Sequence, residues 1–354
     1  MPVAPRPPRK VWIRTHGRAH NEEIRHDPQR AQERRTRLPA PTPRPLHRSP
    51  PRGPPAGTLG DNDPHRGVPS PDRRLLDALQ IADPATHSPK TAWHQHAADR
   101  DLTLPIATAI DEPTTAATLH LDAANSVIAL LAIPGTGKTA ALRTITLALC
   151  ASYPPERVTF ACAGGKWGFL HDITALPHLT VQCFDTWDNR DDVHPDVAKW
   201  CAYIDDEIDR RTTTTHAGLE PELVIVVDDL DEFLEPNPAA AATVQRIIDR
   251  GPDLGIRLIV STKQLHPDGD LWTVPAFGPA VRFRPDTVIA FSTFRREESM
   301  AALGHPGAWS LQRGQGHAYI RPAAELGDTP AHILTVNSDD AASLSAQIAA
   351  YQRK

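Results

Sequence analysis

Residues 126–140 constrain this chain more than any other stretch. Ser126-Val-Ile-Ala-Leu-Leu-Ala132 is an apolar run of the length of a buried strand. Ile133-Pro-Gly-Thr-Gly-Lys-Thr139 follows at once, and a helical pattern rich in Ala, Leu and Thr runs from Lys138 to Ala151. Strand, glycine loop and helix in that order form the context that a phosphate-cradling loop requires. Gly135 and Gly137 let backbone N–H groups turn inward at a helix N-terminus, which makes a nest for an anion. Lys138 then reaches β- and γ-phosphates, and the Thr139 hydroxyl ligates Mg²⁺. Pro134, Gly135, Thr136, Gly137, Lys138, Thr139 and Ala140 are therefore the expected ATP-binding residues. One position departs from the pattern G-x-x-x-x-G-K-[ST]: Ala132 stands where the first glycine is usual. Alanine resists positive φ, so the turn into the loop is expected to be altered.

The second half of an ATP site is an acid at the end of a hydrophobic strand. Leu223-Val-Ile-Val-Val-Asp-Asp-Leu-Asp-Glu232 supplies one. Asp228 is expected to hold the metal with Thr139, and Asp229 to orient the attacking water, so Asp229 and Lys138 form the expected catalytic pair. Many ATPases use Glu at the position of Asp229. The Asp carboxylate falls short by one C–C bond, about 1.5 Å, and misplacement on that scale costs on the order of 100-fold in rate. Glu232, one helical turn later, could compensate, and Asp231 reads as part of a solvated helix start.

Around this centre, short β-rich runs alternate with helical patterns, the signature of a parallel α/β sheet. Strands are expected at Ser126–Ala132, Arg157–Ala161, Thr180–Cys183, Leu223–Val227, Arg257–Ser261, Ala280–Phe283 and His317–Ile320. Helices are expected at Asp72–Ala82, Lys138–Ala151, Asp196–Arg211, Ala239–Arg250, Arg295–Leu303 and Asp339–Gln352. Three parts follow: a tail over 1–70, a helical linker over 71–101, and a folded domain over 102–354.

The tail differs in composition. It holds 15 of the 36 prolines, and residues 1–75 carry 16 Lys+Arg against 7 Asp+Glu, while the remainder carries 22 against 36. With few large apolar groups to bury, such a segment does not offset the entropy of ordering its backbone. It reads as a disordered basic segment, either an arm for nucleic acid or anionic membrane or simply a solvated tail. Arg30–Arg37 could form a short basic helix on a partner. Deleting the tail should leave folding intact and weaken DNA binding. The longest apolar run, Val127–Ile133, is far shorter than a membrane span, and four scattered cysteines without a CxxC pair suit a reducing cytoplasm. His94 and His96 read as a solvated pair rather than metal ligands.

With these residues in view, roughly 102–321 resemble the FtsK/SpoIIIE-type P-loop ATPases, which include DNA translocases and their conjugative and type VII secretion relatives. Leu104-Pro-Ile-Ala and Leu119-His-Leu-Asp122 resemble the family's lead-in, Leu176-Pro-His-Leu179 its turn between the second and third strands, and Leu254-Gly-Ile-Arg-Leu-Ile-Val-Ser-Thr262 its strand after the acidic helix. Ala280-Val-Arg-Phe-Arg284 and Gly314-Gln-Gly-His-Ala-Tyr319 are similar to its last strands. The resemblance implies a RecA-like fold with a mostly parallel sheet flanked by helices. Departures are specific. Lys263-Gln264 replaces the usual Gln-Arg, which alters the γ-phosphate sensor; Ala161-Cys-Ala-Gly-Gly165 replaces an Asp-Pro-Lys-Gly-Gly turn; Pro252 stands where an Arg is usual. No stretch resembles the family's membrane region or its winged-helix DNA reader.

The implied function is a weak, Mg²⁺-dependent ATPase that assembles as a homo-oligomeric ring, such as a hexamer, and translocates duplex DNA. Arg250, Arg282, Arg295 and Arg296 are candidates for the arginine that one subunit supplies to the next. The alternatives are a type VII secretion module acting on protein, with a membrane-bound partner, and a nucleotide-gated regulator with little hydrolysis.

Overall fold

The computed structural model describes residues 73–352 apart from 100, 112–114, 165–172, 185–194, 215–219, 269–270, 275–279 and 323–325. The basic tail, the Arg30–Arg37 segment and Gly165 lie outside the described residues.

Two short helices, α1 (Arg74–Ala78) and α2 (Lys90–His96), precede the strands β1 (Leu102–Ala109), β2 (Ala116–Leu121) and β3 (Val127–Leu131). Helix α3 (Lys138–Ser152) leads to β4 (Val158–Gly164) and β5 (Leu179–Cys183), then α4 (Pro195–Thr213) and β6 (Glu222–Asp228). Next come α5 (Leu230–Leu234), α6 (Ala240–Arg250) and β7 (Ile256–Thr262), followed by the small strands β8 (His266–Asp268), β9 (Leu271–Val274) and β10 (Val281–Phe283). The described part closes with β11 (Thr287–Ala290), α7 (Arg296–Leu303), β12 (His317–Arg321), β13 (Ala331–Ile333) and α8 (Ser338–Gln352).

Ten strands form one sheet in the order β2-β1-β13-β12-β11-β3-β7-β6-β4-β5. The six from β11 to β5 are parallel throughout, as the alternation of strand and helix predicts. The remaining four add an antiparallel wing. Burial explains the division. Every residue of β3 and β7 is buried, because crossover helices cover both faces. Strand β2, at the edge of the wing, alternates exposed and buried residues instead.

The period-2 geometry of a strand sorts its side chains between two cores. Ile128 and Leu130 of β3 and Val224 and Val226 of β6 pack in one cluster with Leu142, Ile145 and Leu149 of α3 and Leu344 and Ile348 of α8. Val127, Ala129 and Leu131, with Leu223, Ile225 and Val227, pack in the other with Trp200, Ile204 and Ile208 of α4 and Val244 and Ile247 of α6. Helical spacing in α4 places Val197, Trp200, Ile204 and Ile208 on one buried stripe.

Two expectations are corrected. Ala280–Phe283 does not join the main sheet: Val281–Phe283 is β10, paired with β9 in a separate three-stranded sheet. Its pattern of buried Val281, exposed Arg282 and buried Phe283 suits a one-sided sheet. The place beside β3 goes to β11, whose four residues are all buried. Helix α1 is also shorter than Asp72–Ala82, because Gln80 turns into the left-handed region at φ 58°.

The residues before β1 pack into the same core. Leu75, Leu76 and Trp93 are buried there with Leu102 and Leu104, and Trp93 Nε1 donates to the carbonyl of Cys150 at 3.0 Å. His94 is exposed, and His96 pairs with Asp99 at 2.6 Å. His178, from the Leu-Pro-His-Leu turn, is fully buried. Its Nε2 lies 2.8 Å from the Tyr153 carbonyl, and its ring meets Trp93 edge-on at 5.6 Å. Burial pushes its pKa down to about 4. A histidine held neutral this way contributes fully above its unfolded pKa near 6.5, and loses that contribution as pH falls toward 4. The drop amounts to about 3 kcal/mol. Denaturant unfolding at pH 7 and pH 4.5 should show this loss in the wild type and a smaller one in His178→Gln.

Candidate functional site

The site forms where β3, β6, β7 and β11 end together. The Ala132 N–H donates to the Thr262 carbonyl at 3.1 Å and the Ile133 N–H to the Ser292 carbonyl at 2.9 Å, so the loop is anchored between the ends of β7 and β11. Thr136 Oγ1 donates to the Ile133 carbonyl at 2.8 Å, which holds the turn. Gly135 and Gly137 take φ 79° and 116°, where a side chain is strained. At Gly137 an added Cβ would also touch Phe291 Cε1 at 3.4 Å. Ala132 is not among the described residues with positive φ, so its own backbone conformation does not call for glycine.

Lys138 begins α3 and is 6% exposed. Its Nζ donates to the Ala132 carbonyl at 2.9 Å and pairs with Asp229 Oδ1 at 3.3 Å. Thr139 Oγ1 donates to Asp228 Oδ2 at 3.2 Å. Residues expected from two distant sequence segments therefore meet.

Asp228, at the end of β6, is buried. Burial and the Asp229 charge raise its pKa, while Ser261, Lys138 and Thr139 pull it down. Ser261 is the residue that sequence reasoning missed. Its hydroxyl donates to Asp228 Oδ1 at 2.6 Å and accepts from the Asp229 N–H at 2.8 Å. The available signal was Ser261-Thr262 closing an otherwise apolar strand, because polar groups buried at a strand end need partners. Gly164, across from Asp228, sits at a close approach: a Cβ there would lie 3.1 Å from the Asp228 carbonyl oxygen, a tight contact.

Asp229 adopts φ 50°, ψ 64° at the start of α5, a conformation uncommon for a non-glycine residue. Its second oxygen lies 3.5 Å from Lys263 Nζ, and Lys263 also makes a close ion pair with Glu232. Glu232 is thus engaged by Lys263. Asp231 is partly buried, and burial with the Asp229 charge raises its pKa, so the solvated reading of Asp231 is corrected. Among the arginines, Arg282 pairs with Asp268 at 3.4 Å and Arg250 contacts Thr212. Arg295 and Arg296 are exposed beyond β11, on the edge that carries the loop.

Two hard oxygens, the Thr139 hydroxyl and the Asp228 carboxylate, stand together beside an anion nest. That donor set fits Mg²⁺, which takes one or two protein oxygens plus phosphate and water.

Residues 92–187 match the model of the FtsK/SpoIIIE family. That match takes in the phosphate loop and helix α3. The ESX secretion system protein EccC of Thermomonospora curvata is 26% identical over 300 residues, 77% of this chain and 22% of that protein. EccCa1 of the ESX-1 system of Mycobacterium tuberculosis is 25% identical over 226 residues, 55% of this chain and 29% of its own. The chain thus spans less than a third of these curated relatives. Among solved structures, the cytoplasmic domain of the Thermomonospora curvata type VII secretion ATPase EccC superposes with TM-score 0.60 at 22% identity, covering 78% of this chain and 34% of that one. The pCW3 conjugation coupling protein TcpA, solved with ATPγS, superposes with TM-score 0.50 at 14% identity, covering 77% and 76%. The likeness to these solved structures establishes the fold of this chain, a mostly parallel sheet flanked by helices. Among its described residues no helix is long and apolar enough to cross a membrane.

Proposed function

We propose that the chain is the motor domain of a cytoplasmic, ring-forming assembly, which binds ATP with Mg²⁺ through Pro134–Ala140 and hydrolyses it slowly. The convergence of Lys138, Thr139, Asp228 and Asp229 carries this reading. Lys138 binds the β- and γ-phosphate oxygens in exchange for its present partners, the Ala132 carbonyl and Asp229. Thr139 and Asp228 hold Mg²⁺, which when bound neutralises charge on the phosphates. Asp229 orients the attacking water. To do so it must leave Lys138, and its short side chain limits how well it reaches.

For the moved substrate we favour a polypeptide, with a membrane-bound partner, because the curated relatives are named as ESX secretion system proteins. The acidic balance of residues 76–354, 22 basic against 36 acidic, fits that choice, since duplex DNA prefers a basic face. The second reading is duplex DNA, favoured by the excess of basic residues before residue 75. Steady-state ATP turnover with and without long duplex DNA separates them. No stimulation is expected for a polypeptide motor; several-fold stimulation that weakens as salt rises would transfer the proposal to DNA.

A further inference from the structure

Strand β2 ends the ten-stranded sheet, and among the described strands only β1 pairs with it. Antiparallel neighbours alternate between pairs that exchange N–H···O=C bonds and pairs whose backbone groups face away from each other. The contacts of β1 fix which residues of β2 face outward. Thr103 turns away from β2, because its N–H donates to Tyr153 Oη at 2.8 Å and its carbonyl accepts from that hydroxyl at 3.1 Å. His120, opposite Thr103, therefore directs its N–H and C=O to the open edge. Ala109 turns toward β2, its N–H donating to the Thr115 carbonyl at 2.9 Å, so Thr108 and the Ala116 opposite it face away. Between them Thr118 stands opposite Pro105, which has no N–H to give. The same three residues are exposed, while Ala117, Leu119 and Leu121 are buried. Natural edge strands are commonly blocked by a charge, a proline or a bulge. Ala116–Leu121 holds no Lys, Arg, Asp, Glu or Pro, and the irregularity in this pair lies on β1, between Pro105 and Ala107.

We propose that the open edge of β2 is an interface for a second copy of this chain, joined as an antiparallel strand pair across a two-fold axis at Thr118. That register is self-complementary. Thr118 meets Thr118 of the second copy, and on either side Ala116 of one copy meets His120 of the other. All three positions direct both backbone groups outward, so the pairing forms about six N–H···O=C bonds. No like charges stand opposite each other, and a Thr–Thr pair across strands is favourable. The apolar face of β2 is already buried and adds no new apolar surface. Strand pairing alone therefore covers less than the roughly 1,200 Å² of a standard interface, and the dimer is a weak one, forming at micromolar concentrations. A two-fold contact joins like surfaces, and so is separate from the head-to-tail contact that closes a ring. It stands independently of the nucleotide site.

The test is sedimentation velocity of the full chain without nucleotide, over a wide micromolar range. The wild type should pass from monomer to dimer as concentration rises. Thr118→Pro removes an outward N–H from each copy and none from the pairing with β1, a change that an edge strand tolerates. It should weaken association by about tenfold or more and leave the melting temperature near that of the wild type. Thr118→Lys sets two ammonium groups opposite each other, and should weaken association at low salt and recover as salt rises. Thr118→Asp should behave alike. An equimolar mixture of Thr118→Lys and Thr118→Asp should regain association, because only the mixed pair brings opposite charges together. Thr118→Val, which keeps the backbone groups and suits a strand, should dimerise as the wild type does. A wild type that stays monomeric throughout overturns the inference. An oligomer that keeps its affinity in Thr118→Pro is assembled through another surface, and overturns it too. Should Thr118→Pro not fold, the charge pair decides alone: no gain on mixing overturns the inference.

Discussion

Lys138→Ala should weaken Mg·ATP binding by at least about 100-fold, read by titration with a fluorescent ATP analogue. Lys138 Nζ is buried, and its partners are the Ala132 carbonyl and one Asp229 oxygen. In the proposed complex those partners are exchanged for phosphate oxygens. Charge-assisted hydrogen bonds are worth about 1.5–3 kcal/mol each, so losing two reaches or exceeds a factor of 100. The substitution also leaves Asp229 with Lys263 as its remaining ammonium partner in the site, adding an unbalanced carboxylate that repels incoming phosphate. A melting temperature close to that of the wild type would confirm that the loss belongs to the site. Unchanged nucleotide affinity in a folded variant would place the phosphates elsewhere.

Asp229→Glu should raise steady-state turnover, by up to roughly 100-fold, equivalent to about 2.7 kcal/mol in the barrier. The backbone of residue 229 turns left-handed just after β6, with its N–H bonded to Ser261, so the carboxylate is directed back toward Lys138 and Lys263. One further methylene extends the group past these lysines toward a water on the terminal phosphate. Glu232, the other acid near enough to substitute, is engaged by Lys263 and does not relieve the shortfall. The alternative is that the left-handed turn already brings Asp229 far enough forward. Turnover at saturating ATP distinguishes them: a brisk wild type that slows on gaining the methylene would rule out a weakened motor.

Much of this was legible in the sequence because the decisive segments are local. Ser126–Thr139 and Leu223–Asp229 each carry strand, turn and functional side chains within a few residues, and strands buried on both faces read as unbroken apolar runs. Other features depend on contacts between distant segments. Thr287–Ala290 is too short for periodicity to tell from any buried fragment, and its place beside β3 comes only from tertiary pairing. Ser261 gains meaning from Asp228, 33 residues away in sequence. His178 resembled a family turn residue, but its buried place against Trp93, Phe160 and Tyr153 is a matter of packing. Ala132 shows the opposite error: a motif glycine was expected to be needed for its φ, and the backbone conformation at that position does not call for it. Lys263 read as an altered sensor, while its ion pairs to Asp229 and Glu232 emerged only from the fold.

The proposed site stands or falls on Asp228, which joins Thr139 to the end of β6 and is itself held by Ser261. Replacing it with Asn keeps the shape but removes the fixed anion that, with Thr139, would hold Mg²⁺. The decisive measurement is steady-state ATP turnover of purified wild type and Asp228→Asn at saturating ATP and Mg²⁺. The predicted result is slow, Mg²⁺-dependent turnover in the wild type and none above background in the variant. Turnover that survives Asp228→Asn undiminished would contradict it.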